Sequence, residues 1–423
     1  MPNARKIAVN ALLEVRKQAY SNITLNKFLS DAELSSVDKS FITALFYGVL
    51  DRTITIDYVL SQFIKTPLKK VDSFVLEVLR VALYQIMYMD KIPDSAAVNE
   101  AVKIVKNSKR KSLSGFVNGV LRNILRDGVH LPQGNSINEL SVRYSCPEWI
   151  VKSFTSDYGI ENAINLLKSS LKTPPVTLRV NSLKTTTNTL CEMLNNDGIS
   201  AKVSLLDNAI DISGGIDITK SRMYKEGFFH VQDIASQTVV SVLNPVKDER
   251  VLDVCAAPGG KSFTTAQYMQ NTGEIISCDL YEKRVELIKK GAVRLGISNI
   301  TATQNDATVY NERFGKFDAV ICDVLCSGLG VIRRKPEIKY KDLEEYQDIT
   351  EIQMQILETS VKYLKDDGRI LYSTCTLRKC ENEYIIERFL DKYPQYELKY
   401  QRTFMPHIDG SDGFYCALLV KSR

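Results

Sequence analysis

Val251-Leu252-Asp253-Val254-Cys255-Ala256-Ala257-Pro258-Gly259-Gly260-Lys261-Ser262 is the stretch that decides the fold of this 423-residue chain. An apolar run of strand type gives way to two alanines, a proline that cannot extend a strand ladder, and two glycines that free the backbone. Thr264, Thr265 and Ala266 then open a helix-like segment. The pattern is strand, tight turn, helix N-terminus, where a ligand can approach the backbone and meet N–H groups without intrahelical partners. A phosphate-cradling P-loop would need a glycine five positions before Gly260. Cys255 stands there, so the nucleoside-triphosphate reading fails on spacing. A purely structural turn before a helix stays compatible with this stretch alone.

The residues downstream extend the pattern. Gly273 to Leu280 reads as a second strand, and Asp279 lies 20 positions after Gly259, where a Rossmann-like fold sets the carboxylate that meets a ribose. A helix is expected from Tyr281 to about Leu295, with Val285, Ile288, Ala292 and Leu295 on one apolar face. Ile300 to Asp306 reads as a third strand ending in an acid. One such acid often only caps the next helix; two in succession after a glycine turn suit an adenosine ligand better.

From Val231 onward strand and helix patterns alternate, the mark of a parallel sheet covered on both faces. Phe317 to Cys322 reads as the fourth strand, ending at Asp323-Val324-Leu325-Cys326-Ser327-Gly328. After a long helical region expected from Lys341 to Leu364, Arg369 to Ser373 reads as another strand, ending at Thr374-Cys375-Thr376. Ligands of open α/β sheets bind beyond the carboxyl ends of the strands, which sets Asp323, Cys326 and Cys375 on the rim of the glycine turn. A single cysteine would be a buried small residue. Two at strand ends, beside an aspartate and a cofactor turn, point to chemistry.

Outward from this region, the N-terminal part is helical by spacing: Ile7, Ala8, Ala11, Leu12 and Val15; Phe41, Leu45 and Val49; Val75, Val78, Leu79, Ala82 and Ile86. Five or six helices are expected, with Asp38 and Asp94 as N-terminal caps. Residues 1–130 carry 19 Lys and Arg against 12 Asp and Glu, and the remainder 36 against 38. That bias suits contact with a polyanion, and equally a solvated helical surface. The most basic loop is Lys106-Asn107-Ser108-Lys109-Arg110-Lys111-Ser112. A polar break from Asp127 to Asn138 follows. A helix with Pro147 as its first residue, the strand Val176 to Asn181, a helix near Thr187 to Asn195 and further short strands then make an α+β module. Its Arg179 and Asn181 either line the approach to the next domain or simply close the module, the latter being the simpler reading.

Hydrophobic content of 44% and charged content of 25% are ordinary for a soluble globular protein. No run reaches the length of a membrane span and no signal-peptide core is visible, so a cytoplasmic location is expected. The nine cysteines form no Cys-x-x-Cys pair, and His130, His230 and His407 are the only histidines. Neither a disulfide framework nor a metal cluster is expected. Cys146, Cys191 and Cys278 read as small buried hydrophobes.

Two resemblances emerge from these motifs. Asp94 to Val102 and Phe116 to Arg122 resemble the signature segments of NusB-like RNA-binding helical domains. Cys255 to Lys261, Asp323 to Cys326, Gly330-Val331-Ile332-Arg333-Arg334-Lys335-Pro336, Ser373 to Thr376 and Asp412-Gly413-Phe414-Tyr415 resemble the motifs of RNA cytosine-5 methyltransferases. Together they cover nearly the whole chain and are similar to the bacterial enzymes of that family that act on 16S rRNA. The resemblance implies a multidomain protein. It would comprise an all-α NusB-like N-terminal domain (1–135), a small α+β RNA-binding or linker module (143–233), and a C-terminal α/β Rossmann-like methyltransferase domain (234–423).

The same resemblance implies S-adenosyl-L-methionine as methyl donor and 16S rRNA as partner, with a monomer expected and neither membrane nor metal involved. The cofactor set it implies is Cys255, Ala256, Ala257, Pro258, Gly259, Gly260 and Lys261 around the methionine and ribose portions, Asp279 at the ribose hydroxyls, Asp306 at the adenine amino group, and Asp323 beside them. Arg284 is a weaker candidate, and equally an exposed helix charge. Cys375 would attack carbon 6 of the base, Cys326 would assist release, and Asp323 would hold the N3/amino edge. Arg333, Arg334 and Lys335 read as phosphate contacts or as a solvated loop. The chain departs from the family's usual Asp-Ala-Pro-Cys at Val324 and Leu325, which removes a φ restraint beside Cys326; activity with slower release is expected. A methyltransferase of the same fold acting on tRNA, DNA or protein, and a non-enzymatic RNA-binding assembly factor, are the competing readings.

Overall fold

The computed structural model describes residues 3–16, 21–30, 34–214 and 217–422. They form two units, Met1–Lys172 with Ile332–Lys341, and Thr173–Val331 with Asp342–Arg423.

The second unit opens with a small antiparallel sheet of β1 (Val176–Val180), β2 (Ser200–Val203), β3 (Ala209–Ser213) and β4 (Phe229–Val231), in the order β2-β3-β1-β4. Leu178, Val180, Ile210 and Phe229 pack there with Leu190 and Leu194 of the helix Thr187–Asn196. Arg179 and Asn181 do more than close this module. Arg179 Nε donates to Gln267 Oε1 at 3.1 Å, and Asn181 Nδ2 donates to the carbonyls of Gly227 and Leu295 at 2.8 Å each. Gln267 and Leu295 belong to helices of the following α/β domain, so these buried side chains fasten the small sheet to it.

That domain holds a seven-stranded sheet of β5 (Arg250–Asp253), β6 (Glu274–Asp279), β7 (Ile300–Gln304), β8 (Phe317–Asp323), β9 (Leu364–Thr374), β10 (Tyr396–Phe404) and β11 (Phe414–Lys421), ordered β10-β11-β9-β8-β5-β6-β7. Strands β5 to β9 pair in parallel, whereas β11 runs antiparallel to both β9 and β10. The sheet is therefore mixed, a correction to the expected parallel one. The link between β10 and β11, residues 405–413, is too short for a parallel crossover. The expected helix from Lys341 to Leu364 also contracts, to Ile349–Ser360, with 3₁₀ turns at Leu343–Tyr346 and Val361–Tyr363. Apolar spacing runs through all three segments, and spacing alone does not separate them.

Alternation along the central strands buries both faces of the sheet. Leu252, Val320, Ile370 and Tyr372 pack on one side, and Val251, Ala319, Ile321 and Leu371 on the other. The chain steps from β5 outward to β6 and β7, then returns to lay β8 and β9 on the opposite flank of β5. The reversal opens a crevice beyond the carboxyl ends of β5 and β8.

The first unit is helical. Six helices, Ala4–Val15, Ser21–Ser30, Ser36–Phe63, Ser73–Tyr88, Asp94–Lys106 and Ser114–Asp127, are present among the described residues of its N-terminal part, followed by Ile137–Tyr144 and Glu148–Ser170. Leu12, Leu45, Val49, Val75, Leu79 and Ala82 are in its core as the spacing predicts. The caps fall differently. Ser35 caps the third helix, so that Asp38 lies in its first turn; Asp94 is a first helical residue behind Pro93; and Pro147 is the N-cap of the helix starting at Glu148. Serine and aspartate are interchangeable as capping types, and a sequence offering both nearby does not choose between them.

Ile332–Lys341 packs in this unit, and with it a lysine that sequence spacing gives no reason to bury. Lys339 is wholly buried and its Nζ donates to Asp51 Oδ1 at 2.6 Å, while the Tyr340 hydroxyl donates to the Leu50 carbonyl at 2.6 Å. Removing one partner of a buried pair leaves the other charge uncompensated. Asp51→Ala should cost the helical unit about 3 kcal/mol in urea unfolding, and adding Lys339→Met should restore most of that. Equal stability of Asp51→Ala and wild type would show that the pair does not hold the segment.

Candidate active site

Gly259 makes the turn after β5 possible. Its φ of +113° lies in the region side chains avoid, and a Cβ there would collide with the ring of Phe263. The turn closes through Gly259 N–H donating to the Ala256 carbonyl and Ala256 N–H to the Cys278 carbonyl, both at 2.7 Å. The helix Gly260–Tyr268 then begins with its N-terminus at the crevice.

Four acids line this rim, each held differently. Asp253, at the end of β5, is buried; its Oδ2 accepts from the Ser262 hydroxyl at 2.7 Å, and Ser262 in turn accepts from Ser277 Oγ at 2.8 Å. Burial, opposed by the Ser262 hydrogen bond and reinforced by the charge of Asp323, pushes Asp253 up to about 7. Asp279, at the end of β6, is 3% exposed; it accepts from Tyr281 N–H and meets Arg284 Nη1, each at 3.2 Å. Arg284 Nη2 also donates to the Ala257 carbonyl at 2.9 Å, so this arginine joins the turn to Asp279. Asp306 is exposed, and its Oδ1 accepts from the Thr308 N–H and hydroxyl. A cleft of about 790 Å³ opens beside it, lined also by Asn305, Val309 and Tyr310.

Asp323 ends β8 directly opposite Ser373 of β9. Its Oδ1 accepts from the Ser373 hydroxyl at 2.8 Å and its Oδ2 from Lys261 Nζ at 2.7 Å. Lys261 is 7% exposed, donates to Ser236 Oγ at 3.2 Å, and lies over the Phe414 ring at 4.7 Å. Its ammonium is thus directed at Asp323, whereas the other turn residues present backbone and small side chains.

Beyond Asp323 the two strand-end cysteines meet: Cys326 Sγ and Cys375 Sγ are 3.3 Å apart. The hydrogen bond with Cys375, burial and the charge of Glu381 together push the Cys326 thiol well above the ordinary range. The remaining cysteines differ. Cys146, Cys278, Cys322 and Cys416 are fully buried and pushed up to about 12 by burial, while Cys191 is only half-buried, its Sγ donating to the Ala201 carbonyl at 3.4 Å. Of the basic run, Arg333, Arg334 and Lys335 belong to the segment that packs in the helical unit. In the loop 106–112, Arg110 pairs with Asp72 at 3.0 Å, whereas Lys106, Lys109 and Lys111 are exposed.

Sequence reasoning passed over Asp253, Ser373, Ser236 and Arg284's second contact. Asp253 and Ser373 each sit at or beside a strand end within a motif, which was the available signal.

A family model described as 16S rRNA methyltransferase RsmB/F matches residues 240–420, the NusB family matches 2–126, and a ferredoxin-like domain of RsmF/B-like methyltransferases matches 146–219. A Bacillus subtilis protein named "Probable ribosomal RNA small subunit methyltransferase B" is 38% identical, with 99% of each chain covered. The chain belongs to the RsmB/F family. Its fold is that of the crystal structure of PH0851, with a TM-score of 0.84 at 24% identity over 100% of this chain and 99% of that one. A methyltransferase homolog from Pyrococcus horikoshii aligns with a TM-score of 0.61 at 26% identity, over 68% of this chain and all of that one. The architecture of this RsmB/F member is accordingly a NusB-like helical domain, a ferredoxin-like module and a Rossmann-like methyltransferase domain.

The buried Asp253 makes stability depend on pH. Its folded value of about 7 lies above that of an unfolded aspartate, about 3.9. The stabilising contribution is therefore complete below about pH 4 and lost as pH rises through about 7. Thermal unfolding of wild type and Asp253→Asn across this range should show the difference moving in favour of the variant as pH rises. A difference independent of pH would mean that Asp253 is ionised throughout.

Proposed function

We propose that this protein methylates carbon 5 of a cytosine in 16S rRNA, using S-adenosylmethionine, through a covalent adduct between Cys375 and the base. The observation that carries this reading is the pair of thiols from separate strand ends, 3.3 Å apart and next to an aspartate held by a buried lysine.

The residues at the rim suit the methyl donor. Gly259 lets the backbone come close to a ligand, Asp279 is buried at a strand end with acceptor capacity left for ribose hydroxyls, and Asp306 lies at the edge of an open cleft. When bound, S-adenosylmethionine supplies a methyl group on a positively charged sulfur. The turn Cys255–Lys261 would hold its methionine and ribose portions, Asp279 the ribose and Asp306 the adenine amino group.

Carbon 5 of cytosine is too poor a nucleophile to accept that methyl group unaided. Addition of the Cys375 thiolate at carbon 6 turns the ring into an enamine-like species whose carbon 5 can attack. Asp323 would hydrogen-bond the N3/amino edge toward which the ring's electrons move, and Lys261 keeps that carboxylate in place. The direction of the Cys326 shift suits a thiol that keeps its proton, and the reaction asks Cys375, 3.3 Å away, to be the attacking sulfur. After transfer, solvent water takes the carbon-5 proton, the electron pair of that bond re-forms the double bond between carbons 5 and 6, and the bond from Cys375 Sγ to carbon 6 breaks to return the thiolate, a release that Cys326 assists. The base must be unpaired or extruded to reach the thiols. Phosphate contacts would come from exposed lysines such as Lys106, Lys109 and Lys111.

With 16S rRNA and S-adenosylmethionine, Cys326→Ala should accumulate a protein–RNA adduct that survives denaturing electrophoresis, and Cys375→Ala should form none. An adduct on Cys375→Ala would remove that sulfur from its role, and bisulfite sequencing of the rRNA with and without the protein identifies the base. Against the slower release expected from the missing proline, Leu325→Pro should change turnover less than about twofold, because the Leu325 carbonyl is already fixed by Gln353 Nε2 at 2.9 Å. A larger gain in steady-state product release would show that the missing proline matters.

A further inference from the structure

The residue after each cysteine is deeply anchored. Ser327 follows Cys326 and Thr376 follows Cys375; both are buried, and their hydroxyls are 2.7 Å apart. Ser327 Oγ donates to Glu381 Oε1 at 2.6 Å, so the single proton of that hydroxyl is committed and Thr376 must be the donor between the two. Ser327 N–H donates to Glu381 Oε2 at 2.8 Å. Gln353 Nε2, at 3.3 Å, and Arg378 Nη1, at 3.2 Å, complete four donors on one fully buried carboxylate. Four donors fill the acceptor capacity of a carboxylate. The same Gln353 amide holds the Leu325 carbonyl, so both residues flanking Cys326 lead back to this cluster. On the other side, Asn382 Nδ2 donates to the Thr376 carbonyl at 3.1 Å, and Thr374 Oγ1 to Asn382 Oδ1 at 2.6 Å.

We propose that Glu381 is the positioning residue of the two-thiol centre: through Ser327 and Thr376 it locks the Cys326 loop to the Cys375 loop and so sets the distance between the sulfurs. The proposal rests on the two-thiol reading above and deepens it, since Glu381 touches neither the base nor the donor. An amide at this position would turn a donor toward donors that now meet an oxygen, either the Ser327 hydroxyl and Arg378 or the Ser327 N–H and Gln353. The Cys326 loop would be freed while Cys375, at the end of a central strand, stayed in place.

The test compares wild type, Cys326→Ala, Glu381→Gln and Ser327→Ala on 16S rRNA, measuring kcat, KM for RNA, trapped adduct and thermal unfolding. Glu381→Gln should lower kcat by about a hundredfold with KM unchanged, and should accumulate the adduct as Cys326→Ala does. Ser327→Ala should shift both in the same direction, and it decides the matter if Glu381→Gln does not fold. Wild-type turnover in a folded Glu381→Gln or Ser327→Ala protein overturns the proposal, as does activity that falls only with the folded fraction and traps no adduct. If Cys326→Ala also traps nothing, the two-thiol reading fails; if Cys326→Ala alone traps adduct, only the role of Glu381 does.

Discussion

Strands β8 and β9 pair in parallel with Asp323 opposite Ser373, and on this register depends the meeting of two sulfurs 49 positions apart in the chain. Side chains alternate along a strand, so a slip of one residue would exchange the faces of every side chain beyond it. Asp323 would then lose Ser373, and the loops beyond the strand ends would leave at different heights. Burial enforces the register, because Val320 and Ile370 lie on one face and Ile321 and Leu371 on the other, all without exposure. The glycine turn follows β5, the strand on the other side of β8, and therefore arrives at the same rim.

Gathering acids at one rim is costly in itself, and the fold offsets that cost in three ways. Asp323 has a lysine, whose own burial is offset by the same contact and by the face of Phe414. Asp279 has the partly exposed Arg284, which also holds the turn. Asp253 has no cation in contact among the described residues; its hydroxyl partner is neutral, and burial pushes it up to about 7, toward the neutral form. The ion pair of Lys261 with Asp323 leaves the lysine inside and the carboxylate 30% exposed, so the carboxylate is the member that faces the crevice.

The glycine turn, the strands around it and the terminal acids Asp279 and Asp323 were legible because each is a local pattern: an apolar run, a change of composition, a charged residue at the end. Local patterns do not report partners. Lys339 reads as one more charge in a basic stretch until Asp51, 288 positions away, is found against it. Glu381 belongs to a short polar segment, and its link to Ser327 spans 54 positions. The antiparallel placement of β11 between β9 and β10 escaped for a related reason, since hydrophobic alternation gives a strand's faces but not its direction. Arg179 and Asn181 were read as closing their own module because their acceptors, Gln267 and the Leu295 carbonyl, lie on helices that come much later in the sequence.

The cysteines show where that limit falls. Within strands β6, β8 and β11, alternation turns Cys278, Cys322 and Cys416 inward, and the reading of Cys278 as a small hydrophobe is correct. Cys326 and Cys375 come just after β8 and β9 end, where the alternation no longer dictates a direction. Cys375 still packs against the core and the two sulfurs meet each other, and further restraint comes from the next residue in each case, Ser327 and Thr376, buried among hydrogen-bond partners. A side chain that packs in a core has its orientation fixed by its own burial. One that is only partly buried gains orientation from a neighbour as well, and for these two sulfurs that neighbour is the residue carrying the following hydroxyl.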